Sequence, residues 1–421
     1  MKKLIDFMNS KFAPVLTKIT KNVWISSIQD TMMSVLPMIF VGSLITMISL
    51  LSNIIPNFPN LSPINSFSFG LLSLFVAFLI PYNVMGKKDK AKMKITSGIA
   101  SIALFLMLLN PTFTEDGGIT FVFERFGSAG MFVAIVVGIF TGIIMNIFAN
   151  LSLFKKDSTI PDFVKAWFDS MIPITIVLLT GWLFNYALHI DLFTMIINIF
   201  MPLAKIGNTL PGFVLFYFIT VFIYSFGISG WTLVPIVFPI WLQGIADNAA
   251  LVAQGKAPVF INTYEVIYTG WIAVGGIGST LILVILMVLS KSKRLKAIGK
   301  AVLIPSIFNI NEPVVYGAPI AWNPILMIPF WLNGLIIPTI TYIVLNMGLV
   351  PIPSQVFQLW YLPFPIPTYI VAGIKGVILL AFLVLIMFLI WYPFFKVYEA
   401  QEIKKENEET QEYDDLELEL D

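Results

Sequence analysis

Apolar residues fall in long runs separated by short polar or basic connections, and ten of those runs are long enough to cross a bilayer. They lie near residues 29–51, 67–85, 96–110, 129–150, 170–188, 190–206, 210–228, 268–290, 325–349 and 369–395. A span needs about 20 apolar residues, so this pattern predicts an all-α polytopic membrane protein. Ahead of the spans, in residues 1–28, Leu4, Ile5, Met8, Phe12, Val15, Leu16 and Ile19 recur at near-helical spacing with lysines between them. That is the pattern of an amphipathic helix lying on the membrane surface and bent at Pro14. Behind the spans, residues 399–421 are acidic and almost free of aromatics, which predicts a solvated, disordered tail.

Two further apolar stretches, 231–246 and 301–320, do not fit as simple crossings. The basic residues decide this. Residues 1–28 hold five, 86–95 five, 151–169 three, 291–300 five and the tail from Lys396 three, together 21 of 25. Ten crossings put all of these on one side, which the positive-inside rule makes cytoplasmic, with both termini inside. Letting 231–246 or 301–320 cross would move a lysine cluster outside. Both are therefore expected to be re-entrant, and each carries breakers: Pro235 and Pro239 in the first, Pro305, Asn309, Asn311 and Pro313 in the second. The charged connector from Lys155 to Asp169 is expected to separate two halves, 29–154 (extending to about 206) and 155–398.

Composition narrows the chemistry. The chain has 421 residues, 58% hydrophobic and 12% charged, with no cysteine and one histidine. Disulfides, thiolate metal sites and a cysteine nucleophile are excluded within these residues. No phosphate-binding loop or dinucleotide fingerprint appears, so nucleotide hydrolysis by those routes is not expected; no cofactor, metal or nucleic-acid partner is expected either. Asp6, Asn9 and Lys11 interrupt any apolar core after Lys2 and Lys3, which argues against a cleavable signal peptide.

One acid stands out against this background. Phe308-Asn309-Ile310-Asn311-Glu312-Pro313 places a carboxylate inside a run that is otherwise apolar from Ala301 to Tyr342. A carboxylate at membrane depth costs about 2.5–3.5 kcal/mol, so it normally faces a partner, a cavity or a substrate. Pro313 disfavours helix at Glu312, and irregular backbone at that depth survives only in protein or along a polar cavity. Glu312 is therefore expected to form the floor of a substrate site.

Taken together, three stretches resemble the enzyme IIC component of the bacterial sugar phosphotransferase system, in its lactose, cellobiose and diacetylchitobiose branch. The first is the Asn311-Glu312-Pro313 loop with Asn323-Pro324 following. The second is Trp360-Tyr361-Leu362-Pro363 with Tyr392-Pro393-Phe394-Phe395 after it. The third is amino-terminal: Lys11-Phe12-Ala13-Pro14, Ile28-Gln29-Asp30 and Val41-Gly42-Ser43. The resemblance implies a homodimer in the bacterial cell membrane, with a dimer-forming amino-terminal half and a sugar-binding carboxyl-terminal half. It also implies a disaccharide entering from outside and receiving phosphate on its 6-hydroxyl from the phosphocysteine of an enzyme IIB, with IIA upstream.

Carried over onto this chain, the resemblance makes Glu312 the hydrogen-bonding partner and general base of the acceptor hydroxyl. Asn311 would bind another hydroxyl and Trp360 would stack on a sugar ring. Ser229 stands where the family carries a histidine, in Gly227-Ile228-Ser229-Gly230, and is expected to touch sugar. Gly275-Gly276-Ile277-Gly278 stands for the family's Gly-Gly-Ser-Gly turn, with Gly276 presenting backbone to the ligand or packing against a helix. A serine exchanges hydrogen bonds but cannot carry an imidazolium's charge. Among the other polar residues, His189 is expected at an interface and Asp30 to cap or pair at the first span. Asp247 and Glu265 are expected in a solvated loop, and Trp167, Trp241, Trp271, Trp360 and Trp391 in interface belts.

Overall fold

Runs of Val, Ile, Leu and Phe become helices here because a segment without water must satisfy its own backbone polar groups. The computed structural model describes residue 18 and residues 21–53, 55–152, 154, 161–317 and 320–420. The amino-terminal amphipathic stretch thus lies outside the described residues. The principal helices are α1 (Val23–Ser49), α2 (Ser62–Phe67), α3 (Leu72–Lys87), α4 (Lys94–Leu108), α5 (Met131–Phe148), α6 (Asp162–Trp182) and α7 (Leu192–Gly207). There follow α8 (Leu210–Tyr224), α9 (Val234–Ala253), α10 (Leu281–Val288), α11 (Lys293–Ile307), α12 (Glu312–Gly317), α13 (Pro324–Asn346) and α14 (Ile366–Leu420). A two-residue hairpin, Thr112–Phe113 with Ile119–Thr120, is the only strand pairing among the described residues.

Among the described residues, eight helices are long and apolar enough to cross a membrane, nine if α7 and α8 count as one broken span. The all-helical membrane class is as the sequence predicts, and the differences are local. Residues 231–246 run through a short 3₁₀ turn (Gly230–Leu233) into α9, whose Ile236–Ala253 portion is itself a candidate span. Pro235 falls in the first turn of α9, where a missing N–H breaks no intrahelical bond. Conversely, 268–290 is not one helix. A π-helical turn (Glu265–Gly270) and a glycine-rich loop precede the eight-residue α10. Residues 301–317 form the end of α11, a turn at Phe308–Asn311, and the short α12. Glu312 opens that helix rather than lying in irregular backbone, because Pro313 occupies a position in the first turn where proline is tolerated.

The described residues cluster into two units, one within Thr17–Lys205 and Val234–Ala246, the other within Ile206–Leu233 and Asp247–Asp421. In the first, α3 packs between α1, α4 and α5. Gly138 lets α5 approach α3 closely, since a Cβ there would stand 2.7 Å from Cβ of Ile80. Asp30 pairs with Lys87 at 2.7 Å, and Asn83 Nδ2 donates to Thr31 Oγ1 at 3.0 Å. In the second, α8 packs on α13, with Tyr342 OH donating to the Asn208 carbonyl at 2.8 Å. The tryptophans predicted for interface belts divide: Trp167 is exposed, but Trp271 and Trp391 are buried and donate to the carbonyls of Gly376 and Ser279.

The acidic end is not a disordered tail. After a break at Gly373 (φ 62°), α14 continues as helix to Leu420. Its acids bind the start of α11. Glu399 Oε1 accepts from Ser290 Oγ at 2.7 Å and Lys291 N at 2.8 Å, and Glu406 Oε1 accepts from Ser292 Oγ at 2.6 Å and Arg294 N at 2.7 Å. These bonds satisfy N–H groups that a helix start leaves open, and they hold the chain helical where composition alone favours solvation.

Candidate functional site

Four segments of the second unit converge on one small cavity: the π-helical turn and glycine loop, the turn between α11 and α12, and the irregular stretch before α14. Its lining is Tyr268, Ala273, Gly276, Ile277, Asn309, Asn311, Glu312 and Trp360. Four of the five residues singled out from the sequence, Asn311, Glu312, Trp360 and Gly276, are thus brought together. Ser229 is not among the lining residues. It is exposed in the loop after α8, next to Gly230, where a Cβ would stand 2.3 Å from Cδ1 of the lining residue Ile277. That loop is fixed at its base by aromatic packing of Phe226 on Trp322 and by Trp331 Nε1 donating to Ser225 Oγ at 2.9 Å.

Asn311 shows why the glycine loop has its sequence. Its Nδ2 donates to the Ile277 carbonyl at 2.7 Å and to Thr280 Oγ1 at 3.3 Å, while its Oδ1 accepts from Tyr224 OH at 3.4 Å. This close approach needs Gly276: its φ is 101°, and a Cβ would lie 2.4 Å from Cγ of Asn311. The amide hydrogens of Asn311 are therefore committed to the protein, and the weakly bonded Oδ1 is what remains to receive a hydroxyl.

Asn309, absent from the residues expected to contact ligand, holds the cavity together. In the left-handed conformation (φ 62°), it accepts from Gly275 N at 2.8 Å and donates to the carbonyls of Trp360 at 2.6 Å and Leu362 at 3.0 Å. One amide thus ties the α11–α12 turn to the glycine loop and to the segment bearing Trp360. The sequence signal was its place in the Asn309-Ile310-Asn311 spacing. Tyr268 carried no such signal, because its neighbours read as the start of a span.

Glu312 departs from the sequence expectation. Its side chain is exposed at the edge of the cavity rather than desolvated, and it forms no ion pair among the described residues. The hydroxyls of Tyr224 and Tyr316 lie within its electrostatic reach. Glu265 departs in the opposite sense: expected in a solvated loop, it is fully buried. His189 stays exposed in the short connection after α6, and Asp247 lies within α9.

The free space at the centre of the cavity is about 20 Å³, room for about one water. A larger space of about 450 Å³ lies in the first unit among Leu104, Val137, Phe140, Phe184, Ile196 and Phe200. Its surface offers no polar atom, so it cannot orient a hydroxylated ligand. No group of three or more His, Cys, Asp or Glu able to hold a metal occurs among the described residues.

Comparison with known proteins places the chain. A family model described as Phosphotransferase system, EIIC, matches residues 29–334. The putative permease IIC component YwbA of Bacillus subtilis is 30% identical over 95% of this chain and 96% of its own length. The cellobiose-specific EIIC component of Geobacillus stearothermophilus is 28% identical, covering 96% of each. A solved structure, the transporter ChbC (the IIC component of an N,N'-diacetylchitobiose-specific phosphotransferase system), superposes with a TM-score of 0.84 at 27% identity. The match covers 95% of this chain and 99% of that one.

Proposed function

This chain belongs to the EIIC family of the sugar phosphotransferase system, the integral membrane permeases of that system, and from that premise we propose how it handles its sugar. The substrate is a β-linked disaccharide of the cellobiose, lactose or diacetylchitobiose kind, as in the names of the similar permeases. It enters from outside and is presented inside for phosphorylation of its 6-hydroxyl by the phosphocysteine of an enzyme IIB, itself charged by IIA. With no cysteine in the 421 residues, the donor thiol lies elsewhere. The protein works as a homodimer in the cytoplasmic membrane, with both termini inside.

The observation that carries this reading is the convergence of one carboxylate, two asparagines and one tryptophan on a single cavity. In it, Trp360 stacks on a sugar ring, Asn311 Oδ1 and the backbone at Gly276 meet hydroxyls, and Glu312 takes the acceptor hydroxyl as hydrogen-bonding partner and base. Glu312 gains the desolvation that favours proton abstraction only once sugar covers it. A disaccharide is far larger than the present free space, so the walls must part or the second ring must extend past Glu312. Either movement suits a permease that alternates access. Ser229 joins the site from the loop beside Ile277 in one of those states.

Glu312→Gln tests the assignment: phosphorylating uptake of labelled cellobiose should fall to background while the protein remains folded by size exclusion. Parental uptake by that variant would refute it. A second reading, transport without phosphorylation, draws on the absence of any histidine from the cavity lining. Vesicles supplied with labelled sugar separate the two. Sugar phosphate formed with the donor proteins present favours the first, and free sugar accumulated on a proton gradient the second.

A further inference from the structure

Glu265 is a second acid of the substrate-binding unit, and its surroundings are the reverse of those of Glu312. It is 0% exposed and has no ion-pair partner among the described residues. It opens the π-helical turn Glu265–Gly270, and such turns are uncommon and recur at functional sites. Its Oε1 accepts from Phe357 N at 3.2 Å and from Gln358 Nε2 at 3.4 Å, and its Oε2 has no hydrogen-bond partner. One turn on, Thr269 Oγ1 donates to the Phe357 carbonyl at 3.1 Å. Both backbone polar groups of Phe357 are therefore held by side chains of one short helix.

That arrangement answers a need of the sequence. Phe357, Gln358 and Leu359 are buried without regular secondary structure, and buried peptide groups must find partners somewhere. Trp360 follows directly, with its carbonyl bound by Asn309. Tyr268 projects from the same π-helical turn and lines the same cavity. The Trp360 segment is thus clamped upstream by Glu265 and Thr269 and downstream by Asn309. The upstream clamp joins it to the element that bears Tyr268.

We propose that Glu265 and Thr269 are positioning residues for substrate recognition, fixing Trp360 against the Tyr268 wall at the spacing a sugar ring requires. Glu265 acts through its hydrogen-bond acceptor. It touches no substrate. This rests on the reading of Trp360 as the sugar-stacking residue, and the experiment keeps the two apart. The full chain is purified in detergent. Calorimetric titration with cellobiose, lactose and N,N'-diacetylchitobiose is done on the parent, Glu265→Ala, Glu265→Gln, Thr269→Val, Trp360→Ala and the pairings with Trp360→Ala.

Glu265→Ala and Thr269→Val should each weaken the tightest-bound disaccharide about tenfold, the scale of a buried backbone group losing its partner. Glu265→Gln, which keeps an acceptor, should recover that affinity to within about threefold of the parent. In the Trp360→Ala background neither Glu265→Ala nor Thr269→Val should cost anything further, because residues that act through one another are not additive. Full additivity, parental affinity in Thr269→Val, or failure of Glu265→Gln to recover would overturn the positioning role while leaving the sugar site standing. Parental affinity in Trp360→Ala would overturn both. Should Glu265→Ala not fold, Thr269→Val carries the test alone.

Discussion

Gly276 shows how little freedom the site has at the level of one residue. Its φ of 101° and the 2.4 Å that would separate a Cβ from Asn311 Cγ leave no place for a methyl group. Gly276→Ala should displace Asn311 from the Ile277 carbonyl and weaken sugar binding at least about tenfold, with a stability loss of about 1–3 kcal/mol. Calorimetric titration and thermal unfolding in detergent measure the two effects. Asn309 makes the complementary case. Asn309→Asp would replace a donor shared by two carbonyls with an acceptor facing both, at a cost of about 1–3 kcal/mol. Binding should fall with it, whereas a merely peripheral residue would leave the titration unchanged. Glu312 stood out in the sequence because a carboxylate inside an apolar run costs free energy unless something faces it, whereas Asn311, Gly276 and Trp360 came through the family resemblance. Sequence reasoning misjudged the surroundings of both acids, since burial of Glu265 depends on Phe357 and Gln358, about ninety positions away, and no local pattern encodes that.

At the level of the helices, the apolar runs were legible because a crossing segment must be helical and apolar along its whole length. The breaks were harder to read. Prolines at 235 and 239 read as helix breakers, but a first-turn proline is a normal helix start and Pro239 is accommodated inside α9. The stretch after Glu265 looked like a span, yet its glycines open it into the loop that Asn309 and Asn311 bind. The acidic end was misread for a related reason: the partners of Glu399 and Glu406 are backbone N–H groups more than a hundred residues away. If Glu406 caps α11 as the distances indicate, Glu406→Ala should uncover the N–H groups of Lys293 and Arg294. Their hydrogen exchange should rise about fivefold, corresponding to the ~1 kcal/mol typical of a lost cap. Unchanged exchange at those two amides would mean that the tail contributes nothing to the start of that helix.

For the whole molecule, sidedness follows from where the lysines are. The clusters at 87–94 and 291–300 and the end of α14 hold 13 of the 25 basic residues, and each added lysine makes translocation of its connection less favourable. Reassigning 236–253 as a crossing while joining α7 and α8 into one broken span leaves these clusters on one side, provided residues 265–288 also traverse. Either layout therefore keeps the proposed placement of both termini inside. Lys256 falls on the other side under either layout. The chain offers a clean test because it has no cysteine of its own. Lys92→Cys and Lys404→Cys should react with a membrane-impermeant maleimide only after the cells are opened, and Lys256→Cys in intact cells. Labelling of Lys92→Cys in intact cells would invert the layout, whereas labelling of Lys92→Cys and Lys404→Cys from opposite sides would break the crossing count itself.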